Sequence, residues 1–505
     1  MTSSRVFDKL LDPKQLFKFV GRNLNYCFLF SAVVVALYVF WVYFHNSIFL
    51  YHAMRLPWSE DQGIYNQIMW KMSQLGKYDV TIRYNTNYFG THFSPIFFLL
   101  LPFYFFNPVP ATLLFISIAC LCVAGVVIYL IAERILRMPL LAFGLALIFF
   151  FSQPFSSLAT MGFRETIISL PLIALALLFY LRRSFWWMML CLVLASLCKE
   201  DIPLMLIGFS LLGWIEGREQ RWRWGPLLFG LIYFSIVFIG LMPWLNHWEH
   251  IGGTGFESYR YLGANLREVI SSIVFHPYKI WQMLTRDHVF IFWGKILEPV
   301  IYLPLLSPLY LLAPFTQYAI MFLSDWPWYA NTSYWYFTPV IPFIMASTAF
   351  ALLKVGRWVK PRFSFFLQAI VIIFALFLAW NGQGMKTFTA AVRSPAADFP
   401  PELMALTKAI PPSVSLTAQT GTVLYFYQRD KLFLPHKVPD TEYVLLDFKG
   451  DTFLLSRQDF IRDISAMLRS GRYLLVNKIN NHLIFKQVDK APVYQDLIVE
   501  LEKTK

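Results

Sequence analysis

The sequence predicts a polytopic α-helical membrane protein that carries a small α/β domain at its C-terminal end. Of the 505 residues, 57% are hydrophobic and only 14% are charged, which is far too apolar for an ordinary soluble domain. Uncharged runs such as residues 28–42 and 113–132 approach the length of about 20 residues that a helix needs to cross a bilayer. After about residue 382 the composition becomes more polar, and paired prolines mark the change. A soluble enzyme is therefore excluded.

The formal net charge of +13 reflects membrane topology rather than a nucleic-acid partner. Lys and Arg of a membrane protein concentrate in its cytoplasmic loops, so the expected surrounding is the lipid bilayer and no nucleic acid is expected to bind. The five cysteines fall within or beside apolar runs. No disulfide framework is predicted from them.

The apolar runs, taken in order, predict about eleven transmembrane helices. A cytoplasmic amphipathic segment, residues 1–26, precedes them. The first run is too long for a cleaved signal peptide and lacks a small-residue cleavage site, so it is an uncleaved first span. The predicted spans lie near residues 27–50, 109–132, 139–153, 166–181, 184–198, 202–215, 225–245, 289–304, 306–323, 338–354 and 364–381.

Basic residues give the orientation of these spans. With the N-terminus inside, every cluster of Lys and Arg in a short loop falls on the cytoplasmic side, as expected for a membrane protein. The clusters are Arg5 to Arg22, Arg134 and Arg137, Arg182 and Arg183, Arg218 to Arg223, and Lys354 to Arg362. These clusters all stay inside only if the short apolar stretch 95–106 does not cross the membrane. We therefore expect it to be an interfacial or re-entrant helix on the outer face.

The predicted topology divides the chain into a transmembrane domain, residues 27–381, a linker, residues 382–410, and an extracytoplasmic α/β domain, residues 411–505. The transmembrane domain carries two large outer loops, residues 51–108 and 246–288. In the C-terminal domain, apolar runs and β-branched residues predict strands, and a 3.6-residue period predicts a helix. The strands are expected at 414–418, 443–447, 473–477 and 482–486, and the helix at 456–468.

Charged residues collect at the outer ends of the predicted spans. They are Glu60 and Asp61, Arg164 and Glu165, Lys199, Glu200 and Asp201, and Asp325. Charge beside an apolar helix is costly unless it is paired or used, so these residues are candidates for a functional site. Two simpler interpretations stay open. Arg164 with Glu165 and Lys199 with Glu200 could be local ion pairs at helix ends, and Asp61 could be the N-cap of a helix that starts at Gly63.

Two other patterns are weaker. His247 and His250 lie three residues apart and would share a helix face, but no third ligand for a metal can be named. Aromatic residues crowd 326–329 and 334–336. They either stack on sugar rings or form the belt of Trp and Tyr found at membrane interfaces.

Four motifs resemble those of a bacterial membrane-protein family, the "domain of unknown function 2079". In chain order they are Trp58-Ser-Glu-Asp-Gln-Gly-Ile-Tyr-Asn-Gln67, His92-Phe-Ser-Pro-Ile96, Gly162-Phe-Arg-Glu165 and Lys199-Glu-Asp201. The resemblance covers nearly the whole chain, including 410–416 and 442–447 in the tail. That family in turn is similar to glycosyltransferases of type C fold (GT-C), which include lipid-A aminoarabinose transferases and protein O-mannosyltransferases and use lipid-phosphate sugars as donors.

The resemblance implies a GT-C-like fold in a bacterial plasma membrane and assigns roles to several residues. Asp61, with Glu60 as second choice, takes the place of the catalytic acid in the first outer loop. Glu165 takes that of the second outer acid, and His92 opens the re-entrant helix. The chain departs from the family at 162–166, where an Asp-Phe-His-Pro-Glu-like run is replaced by Gly-Phe-Arg-Glu-Thr. Because the first Asp and the His are absent, the participation of a divalent cation is left open.

The residue types also suit this chemistry by themselves. Sugar transfer from a polyprenyl phosphate needs a carboxylate to take the proton of the acceptor hydroxyl, and cations to stabilise the departing phosphate. Asp61 suits the first task. The predicted substrate-binding residues are His92, Arg164, Lys199, Glu200, Asp201, Arg83 and Arg260.

The leading prediction is an inverting membrane glycosyltransferase that acts on the outer face with a polyprenyl-phosphate sugar donor and an unidentified cell-envelope acceptor. The alternatives are a polytopic transporter or lipid flippase, and a non-catalytic envelope scaffold. Transporters usually bind near the bilayer midplane on broken, repeated helices, whereas the acids here gather at outer helix ends.

Overall fold

The protein is mainly helical. The structure is a computed structural model that describes residues 13–82, 86–247, 254–396, 398–435, 440–450, 452 and 455–504. The first half contains α1 (Pro13–His52), α2 (Ser59–Gln74), β1 (Asp79–Val80), β2 (Thr86–Asn87), α3 (Tyr88–Thr91), α4 (Ile96–Phe106), α5 (Pro110–Leu136), α6 (Pro139–Phe151), α7 (Gln153–Thr160), α8 (Glu165–Leu181), α9 (Phe185–Ser196), α10 (Leu206–Ile215), α11 (Gln220–Ser235) and α12 (Met242–Leu245).

The second half continues the helical bundle and adds the C-terminal sheet. Its elements are α13 (Leu266–Phe275), α14 (Pro277–Leu284), α15 (Asp287–Leu297), α16 (Pro308–Leu312), α17 (Phe315–Phe322), α18 (Ile341–Gly356), α19 (Pro361–Asn381), α20 (Gln383–Val392), α21 (Pro401–Ala409), β3 (Leu416–Ala418), α22 (Thr420–Val423), β4 (Leu432–Phe433), β5 (Tyr443–Asp447), α23 (Arg457–Arg469), β6 (Tyr473–Ile479), β7 (His482–Gln487) and α24 (Gln495–Glu502). Short 3₁₀ or π turns lie at Ile202–Met205, Ile236–Leu241, Thr254–Tyr259, Glu298–Val300, Leu303–Leu306, Pro327–Ala330, Thr338–Val340 and Leu424–Phe426.

Helix length separates clear spans from shorter apolar helices. Within the described residues, five helical stretches are long and apolar enough to cross a membrane: Asn23–His52, Pro110–Leu136, Gln220–Leu245, Thr338–Gly356 and Pro361–Asn381. The pair α6 and α7, bent by 48°, makes a sixth if it is one span. The predicted number of eleven is not reached by this criterion. One reason is that prolines at 299, 304, 308 and 314 break the predicted spans 289–304 and 306–323 into short pieces.

The apolar helices pack around α5. Gly125 on α5 allows a close approach, because a Cβ there would lie only 2.3 Å from the Phe150 ring of α6. By contrast, α1 and α19 leave large apolar side chains such as Trp41 and Phe377 exposed on the outside of the bundle. Such exposed apolar faces suit contact with lipid rather than water.

The helix ends define two faces of the bundle. The C-terminus of α1, the N-terminus of α8 and the C-terminus of α9 lie at one face, called here the site face. The predicted cytoplasmic clusters, from Arg134 to Arg362, occupy loops at the opposite helix ends. At that opposite face, Glu216 accepts hydrogen bonds from Tyr180 (3.0 Å) and Tyr310 (2.6 Å) and pairs with Arg218 at 2.8 Å.

The stretch predicted not to span forms α4, which has 11 residues and is about 16 Å long at the α-helical rise. This is too short to cross the hydrocarbon core. Tyr104 packs toward α2 and donates a hydrogen bond to the carbonyl of Asn66 at 3.4 Å. Phe103 and Phe106 lie exposed on the other side.

The C-terminal region is a five-stranded mixed sheet in the order β4-β3-β5-β7-β6. Strand β3 is parallel to β4 and β5, while β7 is antiparallel to β5 and β6. Helices α23 and α24 cover one face of the sheet, and Leu445 and Ile484 on the other face join a core shared with α2 and α21. The predicted strands correspond to β3, β5, β6 and β7; β4 was not predicted. Much of the predicted linker is helical, as α20 and α21.

Candidate active site

Asp61 lies in the first turn of α2. The helix begins at Ser59 behind Trp58, whose backbone is left-handed with φ 55°. The alternative interpretation of Asp61, as the N-cap of a helix that starts at Gly63, is therefore wrong. A carboxylate in the first turn is favoured by the partial positive charge of the helix N-terminus.

A cavity of about 710 Å³ opens beside this turn. The volume is in the range of small-molecule sites. It is built from six separate parts of the chain. Its lining residues are Trp58, Glu60, Asp61, Ile64, Tyr65, Tyr88, His92, Glu165, Lys199, Glu200, Glu257, Trp326, Trp328, Tyr329, Tyr334, Trp335 and Tyr336.

Asp61 is held by Arg164, which precedes α8. The distance between Asp61 Oδ2 and Arg164 Nη2 is 3.0 Å, and the guanidinium carbon lies 4.0 Å from the centre of the Trp335 ring. Arg164 is fully buried and does not line the cavity. Its Nε has no hydrogen-bond partner among the described residues. Arg164 therefore holds Asp61 from the side away from the cavity, instead of forming a local pair with Glu165.

Backbone geometry brings Arg164 to this position. Gly162 has φ +89°, a left-handed conformation that glycine adopts readily. The next amide, that of Phe163, donates a hydrogen bond to Gln62 Oε1 at 2.8 Å. The segment before α8 is thus fixed to the helix that carries Asp61.

Glu165 is the second buried acid of the cavity. It accepts a hydrogen bond of 2.5 Å from the hydroxyl of Tyr65, which lies one turn after Asp61 on α2. Burial, followed by the nearby Glu165 carboxylate, raises the pKa of Tyr65 well above its ordinary value. Tyr65 therefore stays protonated and donates to Glu165, which fixes the orientation of that carboxylate.

Lys199 is the lysine that lines the cavity. Its Nζ is 3.8 Å from Asp201 Oδ2 and 5.4 Å from the centre of the Tyr336 ring. Burial lowers the pKa of Lys199, but the charges of Asp201 and Glu200 raise it by more, so the pKa lies above its ordinary value. The amine is therefore charged at neutral pH and available to an anionic ligand. Its carboxylate contact is to Asp201, rather than the predicted local pair with Glu200.

Glu200 and His92 connect the turn after α9 to the start of α4. Glu200 Oε2 accepts a hydrogen bond from the amide of Phe93 at 3.1 Å, and Oε1 is 3.7 Å from His92 Nδ1. Burial raises the pKa of Glu200, but the contact with His92 and the charge of Lys199 lower it more. Glu200 is thus an anion that positions the start of α4.

Aromatic rings form one wall of the cavity. Tyr329 and Tyr336 stack at 3.9 Å with an angle of 14° between their planes, and Trp335 lies 5.1 Å from Tyr336. Trp58 packs on Tyr334 at 5.0 Å. Aromatic faces and hydroxyls together can contact the apolar faces and hydroxyls of a sugar.

The structure does not bring every predicted site residue to the cavity. Arg164 lies behind it, and Asp201 lies beside Lys199 without lining it. Arg260 is exposed and pairs with Glu257 at 3.3 Å, while Asp325 pairs with Arg286 at 2.9 Å. Arg83 and His250 lie outside the described residues.

The sequence leaves the participation of a divalent cation open. No group of three or more His, Cys, Asp or Glu side chains arranged to hold a metal occurs in the described part of the chain. His247 lines a different cavity, with Asn246 and Trp244. The described residues thus give no ligand set to which a divalent cation could be assigned.

Sequence reasoning missed Tyr65, Tyr88 and Glu257 as cavity residues. A signal existed for two of them. Tyr65 follows Asp61 by four residues and Tyr88 precedes His92 by four, and residues four apart share a helix face. Glu257 carries no comparable signal, because its loop reaches the cavity only through tertiary folding.

Comparisons with known proteins agree with this architecture. Residues 59–484 match the family described as "Predicted membrane protein (DUF2079)". No curated protein matches the chain. Among solved structures, ArnT from Cupriavidus metallidurans bound to undecaprenyl phosphate is similar with a TM-score of 0.55 and 14% identity, over 92% of this chain and 98% of that one. The apo form of the same ArnT gives a TM-score of 0.48 and 14% identity, over 91% and 97%.

The likeness to ArnT shows the fold. ArnT is a GT-C glycosyltransferase, and the alignment extends over the helical bundle and the C-terminal region alike. The family match begins at the first residue of α2 and ends within β7, so it includes every residue that lines the cavity except Trp58. The chain therefore belongs to the DUF2079 family of predicted membrane proteins and has the GT-C fold.

Proposed function

We propose that the protein transfers a sugar from a polyprenyl-phosphate donor to an acceptor of the cell envelope. The observation that carries the proposal is the Asp61 carboxylate, held by a buried arginine, facing a cavity that also contains a charged lysine and an aromatic wall. The similar ArnT was solved with undecaprenyl phosphate bound, which supports a lipid phosphate as the donor carrier.

The residues suit a single displacement. The acceptor hydroxyl oxygen forms a bond to the anomeric carbon as the bond from that carbon to the phosphate oxygen breaks. Asp61 takes the hydroxyl proton, and the polyprenyl phosphate leaves with the bonding electrons. Lys199 stabilises the charge that grows on the leaving phosphate. One displacement inverts the anomeric carbon.

The remaining residues position the acids and the sugar. Arg164 fixes Asp61, and Tyr65 fixes Glu165, which is the next candidate for the base after Glu60. The aromatic wall contacts the sugar. Residues 51–108, 246–288 and the C-terminal domain, 411–505, face the outside of a bacterial plasma membrane in this proposal, and residues 1–26 face the cytoplasm.

The test is the Asp61→Asn variant, purified in lipid nanodiscs and supplied with a panel of polyprenyl-phosphate sugars. Asparagine keeps the size of the side chain but cannot accept the proton, so we expect turnover to fall by about 10² to 10⁴-fold with normal membrane insertion. Glu500→Gln, exposed on α24 and not part of the cavity lining, is a control for the loss of one carboxylate.

Two results would contradict the proposal. Transfer at the wild-type rate by Asp61→Asn would move the base to Glu60 or Glu165. If the wild-type protein consumes no donor of the panel, the transferase assignment fails and the transporter interpretation becomes the better one.

A further inference from the structure

Helix α2 contacts the C-terminal region through a stripe of four residues. Ser59, Gly63, Gln67 and Lys71 follow each other at intervals of four, so they lie along one side of the helix. None of them lines the cavity, to which the same helix contributes Glu60, Asp61, Ile64 and Tyr65. One helix thus carries both the proposed base and a separate docking stripe.

The stripe docks on residues 420–430, called here the bracing segment. At the N-terminal end, Ser59 Oγ donates a hydrogen bond to the carbonyl of Thr420 at 2.7 Å. One turn later, Gly63 lies so close that a Cβ would be 3.5 Å from Val423 Cγ1 and 3.6 Å from Leu424 Cα. Because the Cβ itself would already be in van der Waals contact with the segment and 3.3 Å from Ile82 Cδ1, a side chain that extends beyond Cβ would collide there.

The contacts continue in the same order along the helix. Gln67 Nε2 donates a hydrogen bond to the carbonyl of Arg429 at 3.2 Å. Lys71 is fully buried and its Nζ lies 3.1 Å from Asp430 Oδ1 and 2.6 Å from Asp79 Oδ2. A buried ammonium is strongly unfavourable without such partners, so this pair fixes the register between helix and segment.

The bracing segment is held in place within the C-terminal region by Arg429 and is attached to the bundle by two tyrosines. The Arg429 guanidinium donates to the carbonyls of Phe426, Pro411 and Val414 at 3.1 to 3.2 Å. Tyr427 donates to the carbonyl of Pro108 at 2.7 Å, and Tyr425 donates to that of Tyr51. The segment is therefore anchored beside the end of α1 and the start of α5.

We propose that the bracing segment is a positioning element for the reaction, which sets the height and rotation of α2 and hence the place of Asp61 in the cavity. The C-terminal region then acts on catalysis through its contacts with Gly63 and Lys71 of α2. Neither of these two residues lines the cavity. This inference rests on the proposed function for its effect on turnover. Displacements of about 1 Å at a reacting group can cost about 10²-fold in rate, so a small shift of α2 is sufficient.

The test compares two glycine substitutions in the full-length protein. Gly63→Leu pushes α2 away from the bracing segment, whereas leucine has a higher helix propensity than glycine, so the helix itself is not weakened. Gly421→Leu is the matched control, because a Cβ at Gly421 meets no atom within 4 Å. Asp430→Asn is a second variant that weakens the Lys71 contact without adding bulk.

We expect Gly63→Leu to lower kcat by at least about tenfold with the KM of the donor unchanged, and Gly421→Leu to leave both unchanged. Asp430→Asn should lower kcat in the same way but by less, and Asp430→Glu should recover part of the loss. Hydrogen–deuterium exchange gives a readout independent of activity. Residues 59–74 should exchange faster in Gly63→Leu than in the wild type or in Gly421→Leu.

Three outcomes would overturn the proposal. The first is a normal kcat in Gly63→Leu, or in Asp430→Asn if Gly63→Leu does not insert. The second is unchanged exchange in residues 59–74. The third is a raised acceptor KM at constant kcat, which would make the C-terminal region an acceptor-binding domain. If exchange rises as expected but Asp61→Asn keeps full activity, the bracing contact is supported and the assignment of the base fails instead.

Discussion

Arg164 and Lys199 are cations beside the same cavity, and their positions suggest different tasks. Arg164 is enclosed by Asp61, Trp335 and Tyr65, so a substrate does not reach it. Lys199 lines the cavity and can contact a phosphate directly. Although the residue types alone suggest that both bind phosphate, our proposal therefore gives that task to Lys199.

Conservative substitutions separate these tasks. Lys199→Gln removes a charge-assisted contact of roughly 1.5 to 3 kcal/mol, so the KM of the donor should rise by about 10 to 100-fold. Arg164→Lys keeps the charge but loses the planar stacking on Trp335, so kcat should fall by about tenfold while the donor KM changes little. Steady-state kinetics with varied donor concentration measures both parameters.

Arg462→Lys serves as the control for the arginine substitution, because Arg462 is exposed on α23 and pairs with Asp459 and Asp463 of the same helix. It should behave as the wild type. A large rise in donor KM for Arg164→Lys would show that Arg164 contacts the donor after all.

The sequence predicted which charged residues line the cavity better than it predicted their contacts. Asp61, Glu165 and Lys199 stand out because each lies beside an apolar run, where charge is costly. The contacts of Asp61 with Arg164 and of Glu165 with Tyr65 join residues about a hundred positions apart, and pairing at that distance depends on how the helices pack. Lys199, in contrast, contacts Asp201, two residues further along the chain.

At the scale of elements, the aromatic loop after α17 has two interpretations, sugar stacking and an interfacial belt. Trp328 lines the cavity, whereas Trp281 on α14 is 69% exposed and lies on an amphipathic helix, as expected of an aromatic residue at a membrane interface. The two tryptophans therefore allow sugar stacking and membrane anchoring to be tested separately.

Trp328→Leu should raise the KM for the sugar substrate by about 3 to 10-fold, because an aromatic contact contributes about 0.5 to 1.5 kcal/mol beyond area burial. Trp281→Leu should leave that KM unchanged. Equal KM values for the two variants would mean that the loop belongs to the interfacial belt.

Regular patterns made some elements predictable and others not. Strands β5 and β7 have apolar runs that place most of their residues inside, and these were predicted. Strand β4 has only two residues, too few to show a period. The short helices α15, α16 and α17 were merged into two predicted spans, because an apolar run shows burial but does not show where proline breaks the helix.

For the whole molecule, the orientation is a prediction that labelling can test. In a variant without the five native cysteines, single cysteines at Ser333 and Ser456, both exposed at the site face or in the C-terminal region, should react with a membrane-impermeant thiol reagent in intact cells. A cysteine at Ser184, between α8 and α9 at the opposite face, should react only after the membrane is opened. The reverse pattern would place the cavity in the cytoplasm.

The domain boundaries predicted for the whole molecule rest on composition and strand patterns. Paired prolines and a polar composition suggested a linker, residues 382–410, and a C-terminal α/β domain, residues 411–505. In the structure, Leu403, Leu406 and Leu424 share a core with Ile64 and Ile68 of α2. Composition marks where a chain leaves the membrane, but it does not show which surfaces meet afterwards.

The bracing segment also sets the order in which the protein becomes competent during synthesis. Ser59 and Thr420 are separated by 361 residues, and at about 5 to 20 residues per second a ribosome needs roughly 20 to 70 s to add that length. Throughout this interval α2 has been made but its docking surface has not. A chain released before residue 430 would hold every residue that lines the cavity and still lack part of the surface that we propose to position Asp61, so we expect incomplete copies left in the membrane to bind the donor without consuming it.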